Sequence, residues 1–336
     1  MVVVASIPSF AVRRPGRSRR TFAGLAVGLG VVSAFGCGSD EPPGQPSAPT
    51  VLVDLPALFP DLDAGDVIAL RAPTADTTAI EWIERRTGRI QRLDLAEFTD
   101  ARNAPIETVA MIDVGTDGEQ RGLLGQTEIE GVRYVAFTEP EANHLVVAAL
   151  DGNGAVERIV WDAGGTAGGA VGGHLEAVTG QLVLGIGQLT DWAKSNGSGA
   201  MVRLDPTGPA DQQPVILTDG YTNPFAFVPD GDRVWVADNA VGDDVEHIGR
   251  ADLADRSEHP TTGVDPRAPS AMVALRDGRL GVCGFLDGQL LAWSTGESPG
   301  YGESLGPCLT GAAALPDGSI VTATDTAIIL LPAPPS

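Results

Sequence analysis

The sequence predicts an all-β fold, a six-bladed β-propeller with four-stranded antiparallel blades. Three observations carry that expectation. With 43 Gly and 25 Pro among 336 residues, long helices are interrupted and turns are plentiful. An apolar run, a Gly-bearing turn and a second run rich in Val, Ile, Trp, Tyr and Phe recur six times, as strand hairpins do. The turn glycines, Gly88, Gly131, Gly180, Gly231, Gly278 and Gly318, follow one another at 40 to 51 residues, the length of one propeller blade.

Taken from the start, residues 1–36 read as an export signal. Arg13, Arg14, Arg17, Arg19 and Arg20 precede an apolar run, AGLAVGLGVVSAF, over 23–35. Thirteen residues fall short of the ~20 that span a bilayer. The stretch SRRTF resembles the twin-arginine export motif. At the end of the apolar run, Ala34-Phe35-Gly36 leads into Cys37, which resembles the lipobox before the lipidated cysteine of a bacterial lipoprotein. Residues 37–60 carry GSDEPPGQPSAPT at 38–50, polar and Pro-rich, and read as a tether. The chain is therefore expected to be exported to the bacterial cell envelope, periplasm or outer membrane, held to membrane by a lipid anchor alone.

Residues 61–336 form the propeller domain. Its hairpins are AIEWIERRTGRIQRLDL, LLGQTEIEGVRYVAFTE, HLEAVTGQLVLGIG, NPFAFVPDGDRVWVADN, SAMVALRDGRLGVCGF and TGAAALPDGSIVTAT. Glycine in each turn accepts the positive φ that tight hairpins require. The run DVIALRAP at 66–73 is expected to close the ring against the last blade, removing the free sheet edge. Trp82, Trp161, Trp235 and Trp293 are expected between blades, and Trp192 at the mouth rim, where it could stack on a sugar. Cys283 and Cys308, an even remainder in an exported chain, invite a disulfide.

Charge narrows the function. Net charge is −22, and the signal carries five arginines and no acid, so without it the balance falls to −27. Such a surface repels phosphate backbones and anionic headgroups, which argues against nucleic-acid partners. It accepts divalent cations and neutral ligands. The chain is expected to be a monomer that takes a small, sugar-like molecule or a cell-envelope partner.

In each unit, residues just before the first strand and just after the second meet at one rim, around the mouth of the central channel. These are Gln120 and Glu139, His174 and Gln188, Asn223, Asp238 and Asn239, then Thr310 and Asp325. The opposite rim receives the glycine turns. His144, His247 and His259 show no paired spacing and read as surface or capping residues.

The order of motifs resembles the glucose/sorbosone dehydrogenase family, soluble quinoproteins that use pyrroloquinoline quinone (PQQ) on a six-bladed propeller. ERRTGRIQRLDL, EQRGLLG, GGHLEAVTGQLVLGIG, SGAMVRLDPTG and YTNPFAFVPDGDRVWVADN carry the resemblance, over roughly 79–250. It implies PQQ-dependent oxidation of a sugar, Gln120 and Asn223 at the cofactor, and an acidic loop for Ca²⁺. Three positions depart from the pattern. Ala170 stands where the family has its base, Gln188 where it has an acid, and Thr222 where an Arg would meet a quinone carboxylate. With the Gly-rich loop aligned differently, His174 or His144 is the candidate base, His174 being the one in the matching block. The loop at 236–248 concentrates Asp238, Asp243, Asp244 and Glu246, hard oxygen donors suited to Ca²⁺.

Three functions stay open from the sequence. One is a sugar dehydrogenase-like enzyme. The second is a propeller that binds a carbohydrate or protein and catalyses nothing. The third is a calcium-dependent lactonase or hydrolase, with Glu139, Asn223 and Asp238 as ligands.

Overall fold

The computed structural model describes residues 48–334 apart from 64, 74–78, 119, 167–169, 191–196, 241–244, 254–261 and 297. The chain divides into Met1–Gln45 and Pro46–Ser336, and the first unit, with the export signal and Cys37, lies outside the described residues.

Six four-stranded antiparallel sheets make up the second unit. Blade one holds β2 (Val67–Arg71), β3 (Ala79–Glu84), β4 (Arg89–Asp94) and β5 (Ile106–Met111). Blade two holds β6 (Leu123–Ile129), β7 (Val132–Thr138), β8 (His144–Leu150) and β9 (Val156–Thr166). Blade three holds β10 (Gly172–Val178), β11 (Gln181–Ile186), β12 (Ala200–Leu204) and β13 (Val215–Asp219). Blade four holds β14 (Ala226–Asp230), β15 (Arg233–Asp238), β16 (Glu246–Asp252) and β17 (Thr262–Val264). Blade five holds β18 (Pro269–Ala274), β19 (Leu280–Gly284), β20 (Gln289–Ser294) and β21 (Gly300–Pro307). Blade six joins β22 (Gly311–Ala314), β23 (Ile320–Ala323) and β24 (Ala327–Leu331) to β1 (Thr50–Asp54), the first strand of the chain.

The innermost strands β2, β6, β10, β14, β18 and β22 touch one another in a closed cycle. Each neighbouring pair of blades encloses its own apolar cluster, so there are six cores rather than one. Ile83 and Ile90 meet Val135 and Phe137 between blades one and two. Trp161 lies between two and three, Trp293 between four and five, and Trp82 between six and one. All three indoles are at most 1% exposed. A polar pair also bridges blades one and two. Glu81 on β3, fully buried, takes both guanidinium nitrogens of Arg133 on β7 at 2.8 and 2.9 Å. Fork geometry of this kind offsets the desolvation of two charges.

Closure comes from a strand the sequence reading gave to the tether. β1 pairs with β24, buries Leu52 and Val53, and lies inside 37–60. The run at 66–73 instead supplies β2, the innermost strand of blade one. The physical reason is burial: TVLVD places the consecutive residues Leu52 and Val53, at a register shift in its pairing with β24, in the apolar cluster between blades six and one, which a solvated tether would not do.

That slip moves one hairpin. Gly131, Gly180, Gly231, Gly278 and Gly318 turn from first to second strand, as expected. Gly88 turns from second to third, so it and its neighbours Arg85 and Arg86 sit on the mouth rim. At two of the inner turns, positive φ falls on both central residues, Glu130 with Gly131 and Thr179 with Gly180, the twist a two-residue hairpin needs.

Candidate functional site

A cavity of about 360 Å³ opens at the mouth rim, lined by residues from five of the six blades. Its polar lining is Arg85, Gln120, Asn223, Asn239, Ser270 and Thr310. Its apolar lining includes Leu124, Phe225 and Phe285.

The loop leading into β14 is shaped by Asp238 at the end of β15. Its carboxylate accepts the backbone N–H of Asn223 at 2.7 Å and that of Thr222 at 3.0 Å. Blade two repeats the device with a hydroxyl: Thr138, at the end of β7, accepts the N–H of Gly122 at 2.7 Å. Held this way, Asn223 is 1% exposed and donates Nδ2 to Gln120 Oε1 at 3.1 Å. Its Oδ1 is buried and meets no hydrogen-bond donor among the described residues. A buried amide oxygen left unmatched costs about 1–3 kcal/mol, which a ligand O–H or N–H would recover.

Arg85 brings the one positive charge among the described lining residues. It donates to Asp66 Oδ1 at 3.1 Å and to the carbonyl of Arg121 at 3.0 Å. Burial holds its guanidinium below the ordinary value, with Asp66 opposing that effect, and it stays cationic. Asp66 is itself 1% exposed and also binds Arg86 at 2.8 Å.

The other expected site residues fall elsewhere. His174, on β10, does not line the cavity. Its ring packs edge-on against Phe227 at 4.5 Å and near Phe225 at 6.5 Å, one layer below the lining, and its Nε2 lies 3.2 Å from Glu176. Glu139 caps the turn after β7 by accepting the N–H of Ala142. Gln188 and Asp325 are exposed, and Ala170 is buried.

The acidic loop is divided. Asp238 is taken up by the Thr222–Asn223 backbone, and Glu246 by the N–H groups of Arg267 and Ala268 at 2.8 and 2.7 Å. Asp243, Asp244 and Trp192 lie outside the described residues. Among the described residues no three His, Cys, Asp or Glu side chains converge as a metal would require. Cys283 and Cys308 form a disulfide that ties β19 to the connection into blade six, with Cα atoms 5.4 Å apart.

Sequence reasoning found Gln120, Asn223, Asn239 and Thr310 but missed Arg85, Ser270, Phe225 and Phe285. Arg85 was legible only if 66–73 is counted as the first strand of blade one, which carries ERRTGR to the mouth.

No family model matches the chain, and neither does any curated protein. Solved structures do. The PQQ-bound aldose sugar dehydrogenase of Streptomyces coelicolor superposes with a TM-score of 0.62 at 17% identity, over 86% of this chain and 99% of that one. The fold is shared with a sugar dehydrogenase. It is shared as well with a luciferin-regenerating enzyme (0.57, 10% identity, 85% and 96% of the chains). A gluconolactonase of Xanthomonas campestris gives 0.54 at 12% identity, over 87% and 96%. At these identities the likeness is one of architecture, and function is set by the side chains at the mouth.

Those side chains fit a quinone cofactor poorly. PQQ carries several carboxylates, and the described lining offers them one guanidinium, already shared with Asp66. The described lining also holds no imidazole or carboxylate to take a proton from a sugar hydroxyl.

Proposed function

We propose that this propeller binds a small, uncharged, sugar-like ligand in its mouth and does not oxidise it. The carrying observation is the composition of the described lining: amides, hydroxyls and a guanidinium around the Phe225 ring, with no described acid or imidazole. Sugars need this combination, because each hydroxyl both donates and accepts while the C–H face of the ring packs on an aromatic. Asn223 Oδ1 would accept a ligand hydroxyl, and Gln120, Asn239, Ser270 and Thr310 stand around it. The volume lies at the small end of ligand pockets, and suits one or two sugar rings. The sequence supports an exported protein anchored through Cys37, which would hold this ligand at the cell envelope.

Calorimetric titration of the full chain with aldoses, disaccharides and aldonolactones tests this. The expected result is saturable binding of a sugar, weakened at least tenfold by Asn223→Ala, with no turnover. Tight binding of PQQ together with dye-linked oxidation of an aldose would overturn it and restore the dehydrogenase reading.

A further inference from the structure

Two apolar side chains stand out at the rim of the same mouth. Phe285 is 45% exposed and Leu286 68% exposed, consecutive in the turn between β19 and β20. Single exposed apolar residues are ordinary. This pair is unusual for how firmly its turn is fixed. The Phe285 N–H donates to the carbonyl of Ala268, and the Leu286 N–H to that of Arg267. Asp287, the next residue, receives two hydrogen bonds from the Arg267 guanidinium at 2.7 Å each. Arg267 is 6% exposed, and its own backbone is held by the buried Glu246. The disulfide enters the same turn from Cys283.

The Phe285 ring also has a defined direction. It leans from blade five toward Gly65, which leads into blade one, so closely that a Cβ there would stand 3.3 Å from the ring edge. Phe285 thus lines the outer part of the cavity while half its surface faces solvent. The mouth is graded: amides and a guanidinium inside, a rigid apolar edge outside. Ordering groups beforehand lowers the entropy lost on binding.

We propose that the ligand is an amphiphilic glycoside, its sugar seated at Asn223 and an aryl or alkyl substituent packed on Phe285 and Leu286. This rests on reading the mouth as a sugar site and names the class of sugar derivative it selects.

The test compares a hexose with its phenyl glycoside by calorimetry on the full chain. The phenyl glycoside is expected to bind at least tenfold tighter, about the gain from burying one aromatic face. Phe285→Ala should bring the two affinities together, and Leu286→Ala, at a more exposed position, should narrow the ratio. Asn223→Ala should weaken both ligands by a similar factor. If hexose binds and the phenyl glycoside gains nothing, or if the ratio survives both Phe285→Ala and Leu286→Ala, this inference falls and the sugar reading stands. If neither ligand binds the unmodified protein, both fall together.

Discussion

Asn223 of blade four donates its side-chain amide to Gln120 of blade two at 3.1 Å, joining two blades that are not neighbours in the ring. Such a contact can be made only near the axis, so it marks where the sectors converge. Because the bond is neutral, its loss should cost about 0.5–1.5 kcal/mol of stability. Gln120→Ala and Asn223→Ala, combined in a double-mutant cycle of chemical unfolding, are expected to show coupling of that size. Independent effects would mean that the two amides do not meet in solution.

A second prediction concerns the pair between blades one and two. Glu81→Ala leaves the Arg133 guanidinium, only partly exposed, still bonded to Gln126 but without its carboxylate. Removing one partner of a fully buried pair costs about 3–5 kcal/mol, and the partial exposure of Arg133 puts the expected loss below that. Glu81→Met with Arg133→Leu should recover part of that loss, since similar volumes then pack with neither charge of the pair to desolvate, while Arg71 and Arg92 lose Glu81 as a neighbour. Denaturant midpoints for the three variants check this, and equal losses for single and double variants would refute it.

The closing strand gives a third. Val53 is fully buried in β1 and Val51 is 45% exposed on the same strand. Val53→Asp should lower the melting temperature by many degrees, because it places a carboxylate in the core between blades six and one. Val51→Asp should change it by little. Similar small effects at both positions would show that β1 does not close the ring.

These residues also show how far the sequence could be read. Blade number and turn positions were legible because glycine and strand propensity act locally and repeat. The identity of the closing strand was not, since TVLVD and DVIALRAP are both short apolar runs and only pairing with β24 separates them. Arg85 was lost with that choice. Asn223 and Gln120 were found from their place beside the inner strands. Phe285 was not, because nothing local tells a turn that reaches into the mouth from one that ends at the rim. The roles of Asp238 and Glu246 depended on backbone N–H groups many residues away, which no spacing rule within the acidic loop could supply.

A fourth prediction follows from two tyrosines. Burial pushes the Tyr221 and Tyr301 hydroxyls up to about 12 from 10.0. An acid whose folded value is raised holds its proton in the native state after the unfolded chain has released it. The unfolded state therefore binds fewer protons above pH 10, and stability falls as pH rises from about 10 to 12. As far as these two tyrosines set it, the melting temperature should be flat between neutral pH and that window and decline within it. Tyr301→Phe should lessen the decline, because a phenyl ring keeps the packing on Trp293, now at 4.9 Å between centroids, and has nothing to ionise. An unchanged alkaline decline in both Tyr301→Phe and Tyr221→Phe would assign it to other groups.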